Sequence, residues 1–264
     1  MMKYASIFLL GCIMIWSVGC DSGGGGGGGF GGSDLVSLHY DHAPDRDDGQ
    51  SAAADRTMLE DIYGRGWIPG HVLAVSGATG RNDSKFNGAS GSVMNACWGD
   101  IGWVAANGGN RPAAVEAVTA RWLSVLQGGG DIWVKEGGQS DLTAAVVQQI
   151  QARNPNINTR ARVHVVQHGQ WNEDNTTPSA LAYVQAETDY IRIANANAYL
   201  NKAGGDAAFQ SAAVNHPVYG PYWQAAFNYY PPSIRLDFSD TGELMHILGL
   251  GQVGIDEYRQ RFLE

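Results

Sequence analysis

Asp41, Asp45, Asp47 and Asp48 fall within eight residues, directly after the apolar run Leu35–Tyr40. Carboxylates packed this closely repel one another unless a cation sits among them, and hard cations such as Ca²⁺ favour oxygen donors of this kind. The competing account is a solvated acidic turn in which Asp48 caps the helix that follows.

A second polar segment, from His168 to Asn175, contains Trp171, Asn172, Glu173 and Asn175. Amide and carboxylate side chains beside an aromatic face are the usual means of gripping a sugar. The competing account here is a polar loop with an Asx-turn ahead of a helix at Pro178.

For these segments to meet, the strands before them must end on one edge. Leu35–Tyr40 reads as a buried first strand and 50–63 as a helix. Val72–Ser76 reads as a second strand, Ile132–Lys135 as a third and Val163–Gln167 as a fourth, with helices expected over 111–126, 142–153 and 178–196. The glycine-rich stretches 77–91 and 128–130 read as loops, and 215–232 as an irregular aromatic wall. Alternation of strand and helix implies a single α/β domain with a mostly parallel central sheet flanked by helices, and a site at the C-terminal strand ends.

The chain has 264 residues, with 44% hydrophobic, 16% charged and a net charge of −9, so it can bury a large core and would repel a phosphate backbone. Nucleic acid is therefore excluded as a partner, whereas cations and neutral small molecules fit. Residues 1–20 read as a signal: Lys3 precedes an apolar run over 5–16 that is short for a membrane span. Ser17-Val18-Gly19-Cys20 resembles the bacterial lipobox, which makes Cys20 the expected lipidation site and the cell envelope the expected location. Residues 21–33 form a glycine-rich tether and 34–264 the domain, in which Cys97 is the one cysteine, so no internal disulfide is expected.

The acidic segment has a pattern beyond its charge. Asp41-x-x-x-Asp45-x-Asp47-Asp48-x-Gln50-Ser51 resembles the first-strand motif of the nucleoside hydrolase superfamily, closest to its nucleoside-hydrolase-like, cellulose-binding-annotated branch. Gly137-Gly138-Gln139-Ser140-Asp141-Leu142 is similar to the family's middle turn, and Phe238-Ser239-Asp240-Thr241 to its late segment. The resemblance implies a Ca²⁺ held by Asp41, Asp48, the Ser140 carbonyl and Asp240. It implies sugar contacts from Asn172, Glu173 and Asn175, and from Asn82 with the register off by one. It also implies hydrolysis of N-ribosyl or related glycosidic bonds, the ligand being a small nucleoside or sugar. Two departures matter. Ala43 replaces the aspartate that is the family's usual base, so that role passes to Asp45 or Asp47 or is absent. Ser239 replaces the histidine often found beside the late aspartate.

Three readings follow. The first is the calcium-dependent hydrolase. The second is a non-catalytic carbohydrate- or nucleoside-binding lipoprotein on the same fold, with aromatics of 219–230 stacking on sugar rings. The third, an acid-cluster phosphohydrolase, lacks an Asp-x-Asp-x-Thr motif and a nearby basic residue. His39 and His164 lie within strands and read as core histidines. No nucleophile elbow or dinucleotide-binding glycine pattern is present.

Overall fold

The computed structural model describes residues 30–42 and 46–264. Cys20, most of the glycine tether, Ala43 and Asp45 lie outside the described residues.

Six strands form one sheet: β1 (Leu35–Tyr40), β2 (Val72–Ser76), β3 (Trp103–Ala105), β4 (Ile132–Gly137), β5 (Val163–His168) and β6 (Asp189–Ile193). All pairings are parallel and the order is β3-β2-β1-β4-β5-β6. Two short strands, β7 (Asn201–Ala203) and β8 (Arg235–Asp237), pair antiparallel beside it. The helices longer than one turn are α1 (Asp48–Tyr63), α2 (Gly91–Trp98), α3 (Arg111–Gln127), α4 (Asp141–Arg153), α5 (Gln170–Asn175), α6 (Pro178–Glu187), α7 (Ala207–Asn215), α8 (Gly220–Tyr229), α9 (Thr241–Ile247) and α10 (Ile255–Phe262). The protein is thus a single-domain α/β fold of Rossmann-like architecture. Among the described residues no helix is long and apolar enough to cross a membrane.

The period-2 alternation of side chains assigns each strand residue to a face. Val36, Leu38 and Tyr40 enter the core under α1, α2, α8 and α10. Leu35, Ile132, Val134, Val163 and Val165 enter the core under α3, α4 and α6. Both faces are covered, which is why the central strands read as nearly continuous apolar runs.

Several expected elements differ. The helix expected over 178–196 ends at Glu187, and Asp189–Ile193 is strand β6. Its burial runs exposed, intermediate, intermediate, exposed, intermediate, as befits an edge strand without an apolar run to mark it. β3, at the other edge, has three half-buried residues and was not expected for the same reason. The stretch 77–91 is not loop throughout but holds two short 3-10 turns and opens α2. The aromatic wall contains helix α8, which packs on α1 and α2.

That packing is stapled by Arg56. Its fully buried guanidinium donates to Glu60 (2.9 Å), to the Cys97 carbonyl (2.9 Å) and to both carboxylate oxygens of Asp100 (2.8 Å each). It also lies over the rings of Trp98 and Tyr222, at 5.6 and 5.3 Å.

Candidate functional site: a carboxylate cavity at the switch point

Strand order reverses between β1 and β4, and at such a point the loops leaving the C-terminal strand ends diverge and leave a crevice. A cavity of about 250 Å³ lies there, walled by Asp41, Asp47 and Asp48 after β1, Gly137 of β4, and His168 to Asn172 after β5. Asn195, Asn197, Arg235, Asp237, Ser239 and Asp240 complete it.

The acidic turn is bent to aim its groups inward. His42 is the one non-glycine residue with positive φ (53°) among those described, a conformation that costs energy and that tertiary packing must impose. The bend points its backbone N–H at Asp48, which accepts at 2.5 Å. Asp48 therefore does not cap α1: Asp47 precedes the helix without a side-chain capping bond, and Asp48 lies inside the first turn. Asp41 is held by the amide of Gln139, whose own oxygen accepts from Gly80 N at 2.9 Å.

Asp240, from late in the chain, stands on the same cavity wall as Asp48, and the two carboxyls act on each other electrostatically. Burial, with Asp240 and Asp41 nearby, pushes Asp48 well above the carboxylate range. Burial pushes Asp240 up too, but the His168 hydrogen bond and the charge of Lys135 outweigh it and hold Asp240 down at about 2. Asp48 Oδ1 is buried without a hydrogen-bond partner. Burial, followed by Lys135, lowers the His42 imidazole to about 3, so it is neutral. Asp237, on the same wall, is raised to about 6, chiefly by burial.

His168 donates from Nε2 to Asp240 at 2.8 Å, while its Nδ1 accepts a long bond from Ala196 N (3.4 Å), which fixes the tautomer. Its backbone N–H is received by Glu243 at 2.8 Å. An imidazole therefore stands beside the late aspartate after all, supplied from the end of β5 and not from position 239.

Of the sequence-derived residues, Asp41, Asp47, Asp48, Asp240 and Asn172 line the cavity. Ser140, Asn82, Glu173 and Asn175 are not on its wall. The Ser140 carbonyl accepts the Ala144 amide at 2.8 Å. Glu173 is buried against Tyr190 (3.0 Å) and Arg192 (3.4 Å). Asn175 donates to the Trp171 carbonyl within α5 (2.8 Å), and Asn82 is buried at the head of a 3-10 turn. The expected stacking platform over 219–230 is corrected: Tyr219, Tyr222, Trp223, Phe227 and Tyr229 are all buried. The aromatic presented at the cavity is Trp171, 45% exposed. Among the described residues no group of three His, Cys, Asp or Glu side chains is already gathered at metal-binding distance.

Residues missed in the sequence had a signal. Lys135 and Glu136 interrupt the apolar strand IWVKEG, and a charge in a strand buried on both faces must have a partner. Lys135 points toward α1, where it pairs with Asp55 at 3.4 Å. Glu136 points the other way and contacts His39 Nδ1 (3.1 Å), whose Nε2 meets Ser37 Oγ (3.1 Å). That Ser-His-Glu chain has the connectivity of a hydrolase triad, but all three residues are fully buried, Ser37 also takes the Trp122 indole N–H (3.2 Å), and no substrate could reach it. His39 is accordingly a core histidine, whereas His164 is half-buried, stacked on Trp133 (4.1 Å) and paired with Asp189 (2.7 Å).

Fold and site together define an α/β protein with an acidic, ligand-sized cavity at its topological switch point. Compared with protein-family models, curated proteins and solved structures, the chain matches none.

Proposed function

We propose that this domain is a calcium-dependent hydrolase of N-ribosyl or related glycosidic bonds, related to the nucleoside hydrolases and tethered to a bacterial envelope membrane through lipid on Cys20. One observation carries the reading: Asp41 and Asp48 from the first loop and Asp240 from near the chain's end meet on the wall of one cavity. The donor set suits Ca²⁺. It consists of hard carboxylate oxygens, one of which, Asp48 Oδ1, is a buried atom without a hydrogen-bond partner. Asp41, Asp48 and Asp240 would hold the ion; the Ser140 carbonyl, off the wall, is the weakest member of the expected set. Bound there, Ca²⁺ would engage ring hydroxyls and lower the pKa of a water.

The chain's own groups supply the rest. The proton goes to Asp45 or Asp47, of which Asp47 stands on the wall. Asn172, Asn195 and Asn197 offer amides to sugar hydroxyls. His168 keeps Asp240 ionised and oriented. Trp171 offers a ring face to a base or sugar, so Trp171→Ala should weaken substrate binding by roughly tenfold, stacking being worth about 1–3 kcal/mol. Its exposure means the melting temperature should not move. An unchanged KM would remove Trp171 from the site.

The test is direct: the melting temperature in excess calcium against chelator, together with hydrolysis of nitrophenyl riboside and of nucleosides. No calcium-induced shift would overturn the metal reading. Ala43, where the family carries its usual base, favours a second reading, a carbohydrate- or nucleoside-binding lipoprotein without turnover. Calcium-dependent binding of ribose with no hydrolysis would select it. For the tether, Cys20→Ser is expected to lose incorporation of a fatty-acid probe and membrane association; equal labelling of variant and wild type would refute lipidation.

A further inference from the structure

Lys135 has no counterpart in the ligand set just described, yet it lies directly beneath it. It is fully buried, 4.1 Å from the centre of the Tyr40 ring and 3.4 Å from Asp55. An ammonium carries three N–H donors, and beyond its ion pair with Asp55 the Lys135 Nζ makes no hydrogen bond. The next residue on that strand face is Gly137. A β-carbon there would lie 2.8 Å from Lys135 Nζ and 3.1 Å from Asp240 Cβ, so ammonium and aspartate approach each other across a position that only glycine leaves open. Lys135 also acts electrostatically on Asp48, Asp240, His42 and Glu243.

We propose that Lys135 is a built-in counter-cation of the carboxylate site: a positioning residue that holds Asp48 and Asp240 together without a divalent ion and thereby weakens the site's affinity for one. The inference rests on the calcium reading of the same cavity. Its logic is that a fixed positive charge below the carboxylates relieves their mutual repulsion and also repels an incoming cation. The site would then fill only where calcium is abundant, as outside the cytoplasm, and would stay assembled when empty. Loss of a merely structural lysine would loosen the site and weaken ion binding; loss of a counter-cation strengthens it.

Calorimetric titration of CaCl₂ into the full mature chain, in wild type and Lys135→Met at pH 8, separates these. Lys135→Met is expected to bind calcium at least about tenfold more tightly and to melt lower than wild type in chelator. Because Lys135→Met strands Asp55 in the core, Lys135→Met/Asp55→Asn is the second variant; the Tyr40 hydroxyl, 2.7 Å from Asp55 Oδ2, can still bond the amide oxygen. Tighter binding in either folded variant supports the proposal. If wild type binds no calcium and a variant does, the counter-cation stands while the calcium-dependent function falls. If neither variant binds more tightly than wild type, the counter-cation is overturned, whatever wild type does.

Discussion

Asp48→Asn and Asp240→Asn are each expected to abolish the calcium-induced rise in melting temperature, whereas Asp34→Ala leaves it intact. A ligand bound by the native state alone stabilises by about 2.7 kcal/mol at a hundredfold excess over its Kd, roughly 5–10 °C for a domain of this size. Each Asn keeps the shape and one oxygen but removes the charge that a hard cation requires. Both residues stand on the cavity wall. Asp34 lies at the opposite, N-terminal edge, where it accepts from Gly31 N (2.6 Å) and Asp131 N (2.9 Å). Its substitution should lower the baseline melting temperature in calcium and chelator alike. Hydrolysis, where present, should fall at least about 10²-fold in both site variants. Calcium affinity retained in Asp240→Asn would show that the late segment is a chance match and would remove the main support for the function proposed.

Arg56→Ala should destabilise the domain by about 3–5 kcal/mol, because it leaves the buried Glu60 without its cation and removes the plate between Trp98 and Tyr222. For a domain of this size that is on the order of 10–15 °C in melting temperature. The loss should depend on pH in a defined sense. The Arg56 hydrogen bond, with Arg56 and Arg65 charges, holds Asp100 below the ordinary carboxylate range. A carboxylate depressed in the folded state contributes stability that is present above its unfolded pKa, about 4, and is lost as pH falls through the folded value. The difference between wild type and Arg56→Ala should therefore narrow below about pH 4, as measured by urea unfolding across pH 3–7. A difference that is constant over that range would mean that packing against the two rings, and not the ion pair, is what Arg56 supplies. A calcium shift preserved in Arg56→Ala would further separate this staple from the cavity.

The two sides of this protein differ in how far they can be read from the chain. The central strands β1, β2, β4 and β5 were legible because strands buried on both faces are written as apolar runs, and the alternation of such runs with helical periods implies parallel pairing. The edge strands β3 and β6 were not, since a strand with one neighbour is half-exposed and its composition is that of a helix end or a loop. Likewise the aromatics of α8 read as a platform for sugar, because composition reports that a ring is apolar but not which surface covers it; α1 and α2 do so here.

By itself the sequence determined the carboxylates of the first loop and the edge of the sheet on which they would stand, because strand direction fixes where every βα loop emerges. It also marked Asp240 through its late motif. Only the tertiary structure decided that Asp48 and Asp240 stand on one wall, that His168 supplies the imidazole beside Asp240, and that Lys135 lies below. Those facts depend on side chains from four strand ends converging within a few ångströms in a buried, weakly screened space. There, burial and Coulomb forces that depend on distance set which groups carry charge, and distance between remote residues is written nowhere in their order.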